Sequence, residues 1–220
     1  MATLDHIPIR APSRTLHGIL CVVVGMMFFA AQDAMMKTLL DTYPIWVLIF
    51  VRSCVSVVTL VPLILILRGP HRLTSPLWRL HLLRAGLFAT GFSLFYTAFP
   101  FMGLAEVTTI FFSAPLMIAI MAAVFLGESI GWHRIGALVI GFAGVIIAMN
   151  PTGAGFSWVA VLPLLCAAFY AGSQVLARRI GERDTSLTTG LFTLAFSGPM
   201  VVVMGYGLNS VMVFVSEFHP

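Results

Sequence analysis

Apolar residues run along this chain in long blocks, broken only by short gaps rich in Gly, Pro, Ser and Arg. A helix needs about 20 mainly apolar residues, at ~1.5 Å each, to cross a bilayer core. Seven blocks approach that length: Leu16–Leu40, Ile45–Leu67, Leu80–Met102, Leu104–Leu126, Trp132–Met149, Trp158–Ala177 and Leu187–Tyr206. A weakly apolar tail, Val211–Val215, follows. The blocks are too long and too uniformly apolar for the alternating strands of a membrane β-barrel. The pattern predicts an all-α, polytopic membrane helix bundle of about seven spans.

The gaps behave as connections. Asp41–Pro44 joins the first two blocks, with Pro44 suited to the first turn of the next helix. Met102 and Gly103 are almost the whole link between the third and fourth. Asn150–Phe156 is a turn cluster, and the longest gap, Arg68–Arg79, holds Gly69, Pro70, Ser75 and Pro76.

Composition agrees with this reading. The chain of 220 residues is 60% hydrophobic and 9% charged, with a mean hydropathy of +1.03. A soluble domain carries roughly a quarter charged residues. The net charge of +4 resides in the gaps, so it reports membrane orientation rather than a nucleic-acid partner. With the N-terminus in the cytoplasm, Arg10, Arg14, Arg68, Arg72, Arg79, Arg84, Arg134, Arg178, Arg179 and Arg183 lie inside and Lys37 outside. Arg52 falls within the second span. The expected location is a plasma membrane, of the bacterial inner-membrane kind, with the asymmetry setting the orientation.

Arg10 and Arg14 before Gly18–Ala31 resemble a signal peptide, but cleavage after Ala31 would put Phe29 where a small residue is needed, so the segment reads as a retained span. Cys21, Cys54 and Cys166 each sit in an apolar run without a CxxC or a His at ligand spacing, and read as small buried apolar residues. The six histidines are dispersed near the predicted interfaces, so neither a metal nor another cofactor is expected.

Shifting the chain by 141 residues lays Ala30–Lys37 on Ala171–Arg178, with Gln32 on Ser173 and Lys37 on Arg178. The first span then overlays the sixth and the second overlays the seventh. The period contains five spans, so the second copy enters the bilayer upside down. Inverted repeats recur in transporters, with the substrate site between the copies. The expected organisation is a cytoplasmic segment at 1–15, a five-helix repeat at 16–150 and a partial second repeat at 156–220.

Several stretches carry a family resemblance. They are Leu104-Ala105-Glu106-Val107, Ser113-Ala114-Pro115-Leu116, Phe125-Leu126-Gly127-Glu128, the glycines Gly136, Gly141 and Gly144, and Asn150-Pro151. The chain resembles the drug/metabolite transporter superfamily, EamA type. Gln32–Lys37 with Arg52-Ser53 resembles the branch that includes S-adenosylmethionine- and riboflavin-type carriers. The resemblance implies ten helices in two inverted repeats, and alternating access for small organic solutes. Counterparts of the last three helices are absent from the sequence.

Asp33 and Arg52 are the sharpest candidates. Each lies seven residues from the gap between the first two blocks, on neighbouring predicted helices, so ~10 Å deep. Ionisable groups inside a span usually face a partner or a pathway. They read as a substrate-pathway or coupling pair, as a permanent ion pair, or with Asp33 held instead by Lys37 one turn later. Glu106 reads as a helix-start acid or as a cation or proton site. Glu128 reads as a solvated partner of Arg134, and the family resemblance implies a structural or gating contact there. Tyr96 and Trp46 are the aromatics best suited to contact a planar or cationic solute, because each also carries a polar atom. Pro100 and Pro115 fall within spans three and four and can bend them. Gly136, Gly141, Gly144, Ala148, Ala168 and Gly172 read as small residues for close helix approach.

No P-loop, GxSxG or HExxH motif is present. The expected function is secondary transport of a small organic metabolite or drug-like solute rather than catalysis. The alternative is a truncated, non-transporting membrane protein, or a subunit completed by a partner chain. Expected partners are the lipid bilayer and the solute, with homo-oligomerisation left open and nucleic acid excluded.

Overall fold

The computed structural model describes residues 14–69, 74–127, 131–149 and 157–218. Among the described residues, eight α-helices follow one another: α1 (Arg14–Leu39), α2 (Ile45–Arg68), α3 (Trp78–Thr97), α4 (Leu104–Phe111), α5 (Ala114–Leu126), α6 (Trp132–Met149), α7 (Val161–Ile180) and α8 (Ser186–Phe218). A 3-10 turn, Trp158–Ala160, leads into α7. Among the described residues there is no strand. The chain is an all-helical integral membrane protein.

The helix stops follow local chemistry. Gly69 and Gly127 end α2 and α5 with φ of 82° and 68°, a left-handed conformation that a side chain would strain. The predicted fourth span is two helices in line. Pro115 has no N–H to give the carbonyl one turn back, and the chain closes instead with a tighter bond from Ser113 N–H to Ile110 O at 3.0 Å. Pro100, expected inside the third span, lies beyond its end in the turn that follows Thr97. The predicted tail at Val211–Val215 is part of α8, which runs on through Gly207 and Asn209 with no proline there to stop it.

Five stretches of the described residues are long and apolar enough to cross a membrane: Gly18–Leu39, Ile45–Leu67, Leu104–Leu126, Trp158–Ile180 and Ser186–Gly205. A shorter apolar stretch, Ile135–Ile147, lies in α6. The third predicted block, α3, is the polar exception, with Arg79, His81, Arg84, Ser93 and Thr97 along it. Its position explains this. It packs against both α7 and α8, so His81, Arg84, Ser93 and Thr97 meet protein rather than lipid, while Arg79 in its first turn is exposed.

Close approaches set the register. A Cβ on Gly198 of α8 would lie 2.7 Å from Ser53 Cβ of α2, and one on Gly205 would lie 3.1 Å from Trp46. These contacts, seven residues apart on both helices and in opposite order, make α2 and α8 antiparallel. Gly91 meets Phe169 and Cys166 while Gly172 meets Leu87, so α3 and α7 are antiparallel too. In α6 only Gly141 is tight, 3.0 Å from Leu116, whereas Gly136 and Gly144 open onto empty space. Cys166 is buried, but Cys21 and Cys54 are exposed, contrary to expectation. They share outward helix faces with Val22, Val24, Val55 and Val58. In a bilayer such faces cost nothing, because acyl chains are as apolar as the side chains they meet.

Candidate functional site

The centre of the site is the Tyr96 hydroxyl. It stands one residue from the end of α3, fully buried among Phe92, Phe95 and Phe99. It donates to Asp33 Oδ1 at 2.9 Å. It accepts from Arg52 Nη1 at 3.0 Å and from Gln32 Nε2 at 3.1 Å. One donor and two acceptor positions are therefore all in use. Asp33 is only 2% exposed, a burial that a carboxylate tolerates through such bonds. Asp33 and Arg52 do come together, but through the phenol between them rather than by a direct ion pair. Arg52 also lies over the Phe92 ring, 5.8 Å from its centroid. Phe92 in turn meets Phe111 of α4 and Tyr170 of α7, each with centroids 6.0 Å away. The polar junction of α1, α2 and α3 is thus backed by an aromatic wall that reaches α4 and α7.

Lys37 does not hold Asp33. Its Nζ donates to Met102 O at 3.0 Å, tying α1 to the connection between α3 and α4. A cavity of about 290 Å³ lies there, lined by Lys37, Leu40, Asp41, Phe99, Phe101 and Met102. Glu106 is exposed and its Oε2 accepts from Gly103 N–H at 3.0 Å, which closes the first turn of α4. Trp46 packs against Gly205 of α8 and against the buried cluster that includes Tyr96. Pro115 stands at the start of α5, just past the break at Phe112 and Ser113. Glu128 and its pairing with Arg134 lie outside the described residues.

Sequence reasoning missed two groups on α3. His81, taken as an interfacial histidine, is 0% exposed; it stacks on Phe192 at 4.7 Å and its Nε2 lies 2.9 Å from Asp184 Oδ2. Ser75 donates to the same carboxylate oxygen. Arg84, counted among the interfacial charges, points its guanidinium at α7 and α8. Both stand on the α3 face that carries Ala85 and Ala89, and small residues of that kind let neighbouring backbones come close. Among the described residues, no group of three His, Cys, Asp or Glu side chains is arranged to hold a metal.

Long apolar helices around a buried carboxylate and phenol and a half-buried guanidinium define a polytopic membrane helix bundle. The EamA-like transporter family profile matches residues 16–150, and the chain belongs to that family, within the drug/metabolite transporter superfamily.

Curated relatives agree. A riboflavin transporter of Rhizobium johnstonii is 28% identical over 135 residues, covering 60% of this chain and 44% of that protein. An S-adenosylmethionine uptake transporter of Rickettsia bellii is 25% identical over 171 residues, 78% of this chain and 58% of that protein. A pseudopaline exporter of Pseudomonas aeruginosa is 25% identical over 179 residues, 81% of this chain and 62% of that protein. The chain spans about half the length of the curated relatives it matches. No solved structure matches it significantly.

Proposed function

We propose that the chain serves secondary transport of a small organic solute by alternating access, with its N-terminus in the cytoplasm of a bacterial inner membrane. The observation that carries this reading is the Tyr96 junction: three helices meet at one hydroxyl that a carboxylate and a guanidinium share. A solute carrying charge or hydrogen-bond donors competes with these bonds, and exchanging them loosens α1 and α2 from α3. Asp33, Arg52 and Tyr96 are the pathway residues in this scheme. The aromatic wall of Phe92, Phe111 and Tyr170 favours a planar or heteroaromatic solute, in keeping with relatives named for riboflavin and S-adenosylmethionine. Lys37 on Met102 O and the break before Pro115 supply a tie and a flexible point near the same end.

The test is uptake and efflux in proteoliposomes across vitamins, nucleoside derivatives and amino-acid conjugates. Saturable movement of one solute, lost on Arg52→Ala while membrane insertion persists, supports the proposal. Absence of saturable movement for every solute overturns it.

A further inference from the structure

Helix α3 carries a second polar junction, at its opposite end. Arg84 Nε donates to Ser173 O of α7 at 3.1 Å. Its Nη1 donates to Thr189 O of α8 at 3.2 Å and to Thr193 Oγ1. The 141-residue offset carries Gln32 onto Ser173 and Arg52 onto Thr193. The two junctions therefore use corresponding positions of the first and second helix of each copy. They stand twelve residues apart on α3, roughly 18 Å along its axis.

They differ in charge. Arg52 shares its phenol with the buried carboxylate of Asp33. Arg84 has only neutral partners, and among the described residues no carboxylate pairs with it. Asp184, on the connection between α7 and α8, holds His81 and Ser75 instead. A cation within a span that lacks a counter-charge is costly.

A second observation falls at the same place. Five buried side-chain polar atoms of the described residues have no hydrogen-bond partner: His81 Nδ1, Ser93 Oγ, Ser113 Oγ, Ser173 Oγ and Thr189 Oγ1. Two belong to the residues whose carbonyls hold Arg84, and a third is one turn from it on α3. The hydroxyls of Ser173 and Thr189 are unpaired buried donors beside an uncompensated guanidinium, which is what an anion satisfies.

We propose that Arg84, with the hydroxyls of Ser173 and Thr189, binds an anionic group, a carboxylate or phosphate, of the transported solute. Assigning the anion to a solute rests on the transporter reading above. A lipid phosphate has the same chemistry, and the experiment separates the two sources.

The full chain, purified in lipid-free detergent, is titrated with benzoate and with its neutral analogue benzamide, and followed by thermal unfolding. Benzoate is expected to raise the midpoint and benzamide to leave it unchanged. Ser173→Ala and Thr189→Val keep the carbonyls that hold Arg84, so each is expected to leave the ligand-free midpoint in place while weakening benzoate about tenfold. Arg84→Lys keeps the charge but not the fork and weakens benzoate as well; Arg84→Gln, where it folds, abolishes the response. A benzoate response no larger than that to benzamide, or one unchanged in all these variants, overturns the proposal. Adding phosphatidylglycerol separates the sources. Loss of the benzoate response in it, but not in a neutral, phosphate-free glycolipid, assigns the site to a headgroup and overturns the solute assignment. These readouts need no transport. Saturable transport without benzoate binding removes this inference alone, and binding without any transport removes the transporter reading.

Discussion

The Tyr96 hydroxyl donates to Asp33 Oδ1 at 2.9 Å, and this bond keeps a carboxylate that is 2% exposed from being buried alone. Tyr96→Phe removes the shared atom and leaves Asp33, Arg52 and Gln32 without their common partner. Leaving a buried polar group unpaired costs about 1–3 kcal/mol, and more when it is charged. The variant is therefore expected to lose transport and to unfold at a lower temperature, read by transport assay and by thermal unfolding in detergent. Unfolding at the wild-type midpoint would contradict the assigned role of the hydroxyl.

Arg52→Ala removes the cation from the same phenol and from the face of Phe92. Transport is expected to vanish while the amount of protein in the membrane stays near wild type. A parallel loss of protein from the membrane would mark the arginine as purely structural.

Glu106→Gln keeps an oxygen able to accept from Gly103 N–H. A helix-start interaction of this kind contributes about 0.5–2 kcal/mol, most of it retained by glutamine. Transport in proteoliposomes is expected to stay within about twofold of wild type, since ~0.4 kcal/mol is a factor of two. A loss above tenfold would place Glu106 in the pathway.

Gly198→Ala places a methyl group 2.7 Å from Ser53 Cβ, at the seam between α2 and α8. Overpacking of this sort costs about 1–3 kcal/mol. Gly144→Ala adds the same group where nothing lies within 4 Å. The first variant is expected to lower the unfolding midpoint and the second to leave it unchanged or raise it.

The antiparallel seam of α2 and α8 puts Asp41 and Glu182 at opposite ends of the bundle. Cysteines at these two positions are expected to react with a membrane-impermeant reagent from opposite sides of the bilayer. Labelling of both from one side would break the proposed topology.

Much of the fold was legible because a bilayer imposes length and apolarity on any helix that crosses it, and both are properties of the sequence alone. The helix between Ile45 and Leu67 was found for that reason, and Asp33 and Arg52 stood out because charge inside a span is rare. Tyr96 was singled out for its polar tip, but its place between the two charges was not visible. Nothing local distinguishes it from other aromatic residues beside the same apolar runs.

What only the tertiary structure decided is which helices meet, and on which faces. Gly198 against Ser53, Arg84 against Ser173 and Thr193, and His81 against Asp184 are all contacts between residues distant in the chain. Hydropathy reports how a residue partitions between water and lipid. It carries no information on whether a polar group near a helix end turns to the interface or to a neighbouring helix, because both satisfy its hydrogen bonds. Arg84 and His81 turned inward because α7 and α8 pass beside α3 there, and that adjacency exists only once the helices pack.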